Sequence, residues 1–144
     1  MTVVVSAVTS VDAATKALID SALAGLSVQR GGPGLLRDLK SLLKTDDVEV
    51  LVDTLVERGG LRGAFADGLI QGIMAIEPDS ERTILAIYVA PAWRRRGVAS
   101  AMIASLGQGA GAPVDAWALP GDRAMKSLYE KMGWRARRLT MSAE

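Results

Sequence analysis

The chain has 144 residues, 49% of them hydrophobic, 23% charged and 4% aromatic, with a formal net charge of +1, which is material for the core of one compact domain, 1–144, and too short for a second. It contains no cysteine and no histidine, which removes disulfides, a thiolate nucleophile, thiolate metal sites, the commonest general base and the commonest metal ligand. No metal is expected, and any catalysis falls to carboxylates, tyrosine, backbone and water.

Val3 to Val8 reads as a strand. Ser10 can cap a helix from about Val11 to Ala24 that turns Leu18, Ile19, Ala22 and Leu23 inward. Gly25 to Gly34 reads as a loop, and Pro33 opens a second helix whose Leu35, Leu36, Leu39, Leu42 and Leu43 form an apolar stripe. Asp46 to Arg58 fits either period; the acids Asp46, Asp47 and Glu49 at its start and Arg58-Gly59 at its end decide for a helix. Leu61 to Ala66 and Leu69 to Ile76 form a hairpin over Asp67-Gly68. A turn at Pro78 to Glu81 leads into a strand, Thr83 to Val89, β-branched and aromatic enough to be buried. A helix begins near Gly97, with Ala99, Met102, Ile103 and Leu106 on one face. Gly107 to Pro113 is a flexible link to a strand from Val114 to Leu119. Asp122 then caps a helix lined by Met125, Leu128 and Met132, Gly133 ends it, and Trp134 to Met141 reads as a last strand. The longest apolar stretch, Ile84 to Trp93, is too short to span a bilayer, and Met1 to Ser6 lacks the regions of a signal peptide, so no membrane association and a cytoplasmic location are expected.

Chemistry concentrates in Val89-Ala-Pro-Ala-Trp-Arg-Arg-Arg-Gly97-Val98-Ala99. A strand that turns straight into a helix N-terminus leaves several amide N–H groups unpaired, with the positive end of the helix dipole behind them, and that is an anion site. Gly97 takes away the Cβ that would hold a ligand off the backbone and Ala99 keeps the first turn small, so a pyrophosphate can approach N–H groups from about Arg95 to Ser100. No Gly-Lys-Ser/Thr closes the loop and it has one glycine, unlike the nucleotide-hydrolysing and dinucleotide patterns. Charge follows the same division: Met1 to Ala90 hold 8 Lys/Arg against 12 Asp/Glu, and Pro91 to Glu144 hold 9 against 4. The basic half would attract a phosphate-bearing ligand. Nucleic-acid binding is the weaker reading, because aromatics are scarce and the arginines are not interleaved with stacking residues.

The spacing Arg94-x-x-Gly97-x-Ala99 resembles the pyrophosphate loop of the GNAT superfamily of N-acetyltransferases. A second run, Asp122-Arg-Ala-Met125-Lys-Ser-Leu128-Tyr129-Glu-Lys-Met-Gly133-Trp134, resembles the motif Asn-x-x-Ala-x-x-Leu-Tyr-x-x-x-Gly-Phe of the same superfamily, with Asp122 at the Asn position and Met125 at the Ala position. Ala118-Leu-Pro-Gly-Asp-Arg is also similar to a group of small bacterial members.

The resemblance implies an α+β (α/β) fold, a mixed, mostly antiparallel twisted sheet flanked by helices and splayed between the strand ending at Val89 and the strand starting at Val114. It further implies acetyl-CoA as cosubstrate, with pantetheine pairing around Ile87 to Val89 and the pyrophosphate on Arg94, Arg95, Arg96, Gly97, Val98, Ala99 and Ser100, Asp122 completing the cofactor site. The implied reaction is direct acetyl transfer to an amine acceptor, with backbone N–H near Val89 serving the oxyanion and Tyr129 as general acid. Many members carry a glutamate in the strand before the loop; here Leu85 stands there, and Glu77, Glu81 and Asp115 remain as bases, Glu77 through a water chain. Trp93 shields the loop or packs on the sheet; Trp117 walls an acceptor pocket or joins the core. Arg135, Arg137 and Arg138 form a solvated face. Alternatives are a non-catalytic acyl-CoA sensor and a GNAT toxin acetylating aminoacyl-tRNA, and homodimer formation is left open.

Overall fold

A computed structural model of the chain describes residues 2–79, 83–107, 112–113, 115–141 and 143. Three helices lie between the first two strands. α1 (Ala13–Val28) is capped by Asp12, whose carboxylate accepts from the Thr15 amide at 2.8 Å, and this hydrogen bond holds the Asp12 carboxyl below its usual range. α2 (Gly32–Leu42) has Pro33 in its first turn, and α3 (Val48–Glu57) is capped by Asp47, which accepts from the Glu49 amide at 2.8 Å.

Five strands follow one another across the sheet: β1 (Val3–Ala7), β2 (Leu61–Ala66), β3 (Leu69–Ile76), β4 (Thr83–Val89) and β5 (Asp115–Ala116). All neighbours are antiparallel except β4 and β5, which run parallel. The β2–β3 turn has Asp67 at φ 52° and Gly68 at φ 80°, the two positive φ values that a tight hairpin demands. Leu85 is an extra residue in β4: Ala75 pairs with Ala86 and Ile76 with Ile84, leaving Leu85 without an opposite number.

Each face of the sheet carries its own core. Leu18, Ile19, Leu39, Leu51 and Leu55 of α1 to α3 cover Leu61, Ile70, Ile73 and Leu85. On the other face α4 (Val98–Ala104) and α5 (Arg123–Lys131) bring Val98, Met102, Ile103 and Tyr129 onto Ala64, Met74, Ile76 and Ile84. Met74, Ile84 and Met102 have no exposed surface, each worth roughly 1.5–3 kcal/mol by burial. Gly72 makes this second face possible: a Cβ there would stand 2.9 Å from Met102 Cε and 3.0 Å from Val98 Cγ1. Because Gly72 pairs with Val89, the same glycine seats the start of α4 beside the end of β4. Among the described residues no helix is long and apolar enough to cross a membrane.

Several sequence expectations change. α1 runs on through Gly25 to Val28, and its cap is Asp12 rather than Ser10, because the Asp12 carboxylate reaches the Thr15 amide. The α4 helix ends at Ala104, so Leu106 lies beyond it, and the buried face is Val98, Met102 and Ile103. β5 has two residues rather than the six from Val114 to Leu119, and Val114 itself lies outside the described residues, as does 108–111 of the expected link. The strand expected over Trp134 to Met141 is not formed. After Trp134, Arg135, Arg137 and Arg138 leave only Ala136 between them, and Leu139 and Met141 are more than four-fifths exposed, so this stretch has no face to bury.

Candidate active site

β4 and β5 touch only at one end. Thr83 pairs with Asp115 and Ile84 with Ala116, and the Trp117 amide donates to the Ile84 carbonyl at 2.9 Å. From Ala86 onward no pairing with β5 occurs among the described residues, so the two strands part and a gap opens toward Val89. Which backbone groups face the gap follows from strand geometry. The Ala90 amide donates to the Gln71 carbonyl at 2.8 Å, so Ala90, Tyr88 and Ala86 point their peptide groups at β3, and alternation turns those of Ile87 and Val89 to the gap. Among the described residues Ile87 and Val89 therefore present a strand edge that β5 leaves unpaired. One of these groups is already engaged, since Arg94 Nε donates to the Val89 carbonyl at 3.0 Å.

The loop continues directly from this edge. Pro91–Trp93 form one 3₁₀ turn, Arg95 has φ 62° and Gly97 has φ 80° as the residue before α4. Gly97 is thus required by backbone conformation, and the space above it is open, with nothing within 4 Å of where a Cβ would stand. The Ala101 amide donates to the Gly97 carbonyl at 2.9 Å, which leaves the amides of Val98, Ala99 and Ser100 ahead of the first intrahelical donor. Val98 contributes only its amide, because its side chain is buried under the sheet. The arginines divide. Arg94 folds back with its guanidinium 5.4 Å from the Tyr88 ring centre, Arg96 lies 5.1 Å from the ring centre of Trp93, and Arg95 is exposed. Trp93 is half-buried against the α4/α5 face, as the packing reading expects, and carries Arg96 on its ring.

Tyr129 is buried on the same face, in the cluster that includes Ile87, Val89, Val98 and Trp93. Its ring stacks on Trp134 with centres 5.4 Å apart and planes 22° from parallel. Burial, with a smaller contribution from the Asp122 charge, pushes the phenol pKa well above its ordinary value, so it stays protonated at any physiological pH. Asp122 itself caps α5, its carboxylate accepting from the Met125 amide at 3.1 Å.

Glu77 is not brought to this group. It follows β3, its amide donating to the Thr83 carbonyl at 2.9 Å, at the end of β4 where the pairing with β5 closes the gap. From Thr83 to Val89 the strand covers about 20 Å, a long reach for a water relay. Asp115 sits at that closed end too, and Glu81 lies outside the described residues. Leu85, where many GNAT sequences have a carboxylate, is buried on the α1–α3 face.

The opposite mouth of the gap is framed by residues the motifs did not mark. Tyr88, half-buried, stands against the end of α1, its Cε1 3.9 Å from where a Gly25 side chain would begin. Gly31, in the α1–α2 turn, faces Leu119 and Pro120 at 3.4 Å, and Arg30 Cβ is 3.9 Å from the corresponding point on Gly121. Trp117, 37% exposed, does not fill the core. Tyr88 was legible as the residue alternating with Ile87 and Val89; the partners of Arg30 were not.

A family model for the GNAT acetyltransferase domain matches residues 57–136, which spans the hairpin, β4, the arginine loop and the Tyr129 helix. No curated protein matches the sequence. Among solved structures the chain resembles AAC(6')-Iy in complex with the bisubstrate analogue CoA-S-monomethyl-acetylneamine, at 16% identity and TM-score 0.59 over 100% of this chain and 99% of that one. It also resembles the aminoglycoside acetyltransferase HMB0005 from an uncultured soil metagenomic sample (22%, TM-score 0.56, 100% and 99% covered). A third likeness is to the ribosomal-protein-alanine N-acetyltransferase of Brucella melitensis biovar Abortus 2308 (19%, TM-score 0.53, 100% and 99% covered). At these identities the likeness is one of fold, and it agrees with the mixed five-stranded sheet and its flanking helices. With more than half of the chain matched by the domain model, and the gap, the loop and the Tyr-bearing helix joined at one end of the sheet, the chain belongs to the GNAT family of acetyltransferases.

Proposed function

We propose that the protein transfers the acetyl group of acetyl-CoA directly to a primary amine held beside it in a ternary complex. The single observation that carries this reading is the unpaired edge of Ile87 and Val89 running straight into the open loop at Gly97. The residues fit the cosubstrate. The edge of Ile87 and Val89 would pair with the amides of pantetheine, and the amides from Arg95 to Ser100 would take the pyrophosphate, with Arg95 and Arg96 adding charge. Acetyl-CoA, when bound, supplies an electrophilic thioester carbonyl. As the N–C bond forms and the C–S bond breaks, the Val89 N–H, turned to the gap, would serve the oxygen on which negative charge grows. Tyr129, kept protonated by burial, gives a hydrogen bond to the departing sulfur; its raised pKa makes it a better donor of a hydrogen bond than of a free proton. Asp122 holds the helix that carries Tyr129.

The amine must still lose a proton, and no carboxylate side chain stands at Leu85 to take it. Water is therefore the acceptor, and amines of low pKa react best: an α-amine near 8 over a lysine near 10.4. The relatives named for aminoglycosides and for a ribosomal-protein alanine both modify amines, which supports the class of acceptor without choosing between them. Leu85 also favours a second reading, an acyl-CoA sensor without turnover.

One experiment separates them. Acetyl-CoA binding is measured by calorimetry, and free thiol release is then followed over pH 6–10 with peptides, amino acids and aminoglycosides. Thiol release that climbs with pH for at least one amine supports acetyl transfer. Tight binding with no release from any acceptor at any pH would leave the sensor.

A further inference from the structure

The gap between β4 and β5 has two faces, and they differ in charge and in cover. On one face lie α4, α5, Trp93 and Tyr129. On the other lie Tyr88, the last turn of α1 and the α1–α2 turn, which reaches across to Leu119 and Gly121. With the cosubstrate arm along the edge and Tyr129 behind its sulfur, an attacking amine has to enter from the α1–α2 face. The segments bordering that entrance carry a marked excess of positive charge. Residues 25–34 contain Arg30 and no acid, and 84–97 contain no acid and place Arg94 over Tyr88 on this face, while Arg96 lies over Trp93 on the other. Residues 115–126 hold Arg123 and Lys126 against Asp115 and Asp122. Of those two acids, Asp115 belongs to the closed end of the strand pair, and Asp122, which accepts from the Met125 amide as the cap of α5, sets one negative charge against the cations of the rim. Lys126 is tied to this rim by a bond from its Nζ to the Pro120 carbonyl at 3.1 Å, and Arg94 by its bond to the Val89 carbonyl.

From this we infer that the acceptor is an amine that carries a carboxylate or phosphate of its own, and that Arg30 is the residue that reads it. The inference rests on the acetyl-transfer reading and adds the acceptor's charge to it. A polycationic amine would meet an excess of like charge at this entrance, whereas an anion on the acceptor offsets that repulsion and orients the amine inward.

The test uses tripeptide amides with a common N-terminal alanine, so that the amine pKa is constant, and with aspartate, phosphoserine, asparagine or lysine at the third position. Free thiol release from acetyl-CoA gives kcat/KM for each. The aspartyl or phosphoseryl peptide, whichever matches the rim, should exceed the asparaginyl peptide by about tenfold and the lysyl peptide by more, with the preference shrinking at 0.5 M salt. Arg30→Glu should invert the order while acetyl-CoA affinity, measured by calorimetry, stays within about twofold. Equal rates for the four peptides, a preference for lysine, or an order untouched by Arg30→Glu would overturn the inference and leave acetyl transfer standing. Absence of thiol release from all four and from the wider amine panel, with acetyl-CoA still bound, would instead remove the acetyl-transfer reading itself.

Discussion

Substitutions at Gly97 separate backbone strain from ligand contact. Gly97 has φ 80°, and no atom lies within 4 Å of a built Cβ, so any side chain fits sterically but is held in the left-handed region. For an L-residue that costs about 1–2 kcal/mol. In a chain of this size each kcal/mol moves Tm by about 2–4 °C, so Gly97→Ala and Gly97→Glu should both melt about 2–8 °C below the parent and close to each other. Ligand binding should divide them. A carboxylate about 5 Å from a pyrophosphate costs on the order of 1–2 kcal/mol for each phosphate charge in a partly solvated site, which weakens coenzyme A binding by at least about tenfold and up to several hundredfold. Gly97→Ala, lacking charge, should stay within about tenfold of the parent. Thermal melts establish that the pair is equally folded, and calorimetric titration with coenzyme A gives the difference. Equal affinities in the alanine and glutamate variants would mean that nothing anionic approaches this backbone, and the pyrophosphate assignment would go with it.

Tyr129→Phe keeps the ring and its stacking on Trp134 but loses the hydroxyl, so kcat should fall by about 10²-fold while acetyl-CoA affinity changes by no more than a few-fold; unaltered turnover in steady-state assays would reduce Tyr129 to packing. The raised Tyr129 pKa also sets a limit on stability: below pH about 10 folded and unfolded chains both keep the phenol proton, and above it only the unfolded chain releases it, so stability should decline from about pH 10 upward in the parent and decline less in Tyr129→Phe by denaturant titration. Glu77→Gln should leave both the rate and the shape of the pH–rate profile unchanged, because Glu77 lies at the closed end of the strand pair; a flattened profile would restore it as the base. Gly72→Val would drive Val98 and Met102 off the sheet, costing about 1–3 kcal/mol, and should weaken coenzyme A binding as well because α4 and the loop move together.

The parts of the fold that could be read from the chain were those in which a local rule and a long-range one agree. Asp67-Gly68 demanded a tight hairpin, and its flanking strands pair in that register because Ile70, Ile73 and Ala75 on one face and Met74 and Ile76 on the other each find a helical cover. The helix over Val48 to Glu57 was decided by Asp47, whose carboxylate does take the first amides. Reading failed elsewhere. Gly25 looked like the end of α1, but the helix continues to Val28, with the Gln29 amide donating to the Gly25 carbonyl at 3.0 Å. Trp134 to Met141 looked like a strand by alternation, yet alternation of Arg with Ala supplies no apolar face, and only Trp134 finds a partner, in Tyr129. The site divides in the same way. Gly97 follows from sequence spacing and the Ile87 and Val89 edge from the family resemblance, whereas the position of Glu77 depends on which end of β4 pairs with β5, and no local pattern encodes that.

Two features of this chain that look like deficiencies belong to one electrostatic arrangement. It has no histidine and has Leu85 in place of a carboxylate, so in the proposed reaction the acceptor ammonium would give its proton to water. At pH 7 an α-amine of pKa near 8 is about 10% free base and a lysine of pKa near 10.4 well under 0.1%, a handicap of roughly 10²–10³ that binding alone does not recover. A carboxylate base beside the amine would help by accepting the proton, but its charge would also stabilise the ammonium and raise the pKa that has to be overcome. The rim formed by Arg30, Arg94 and Lys126 acts in the other direction: positive charge near the amine disfavours the ammonium and lowers its pKa, and each unit lowered gives about tenfold more free amine in the range below that pKa. That same rim would repel an acceptor with no negative charge, so lowering the amine pKa and selecting an anion-bearing acceptor are one requirement with two consequences. In Arg30→Glu the two should therefore move together, the preference for an anionic acceptor inverting and the pH at which the rate rises shifting upward; inversion of the preference with an unmoved pH profile would show that Arg30 reads the acceptor without acting on its amine.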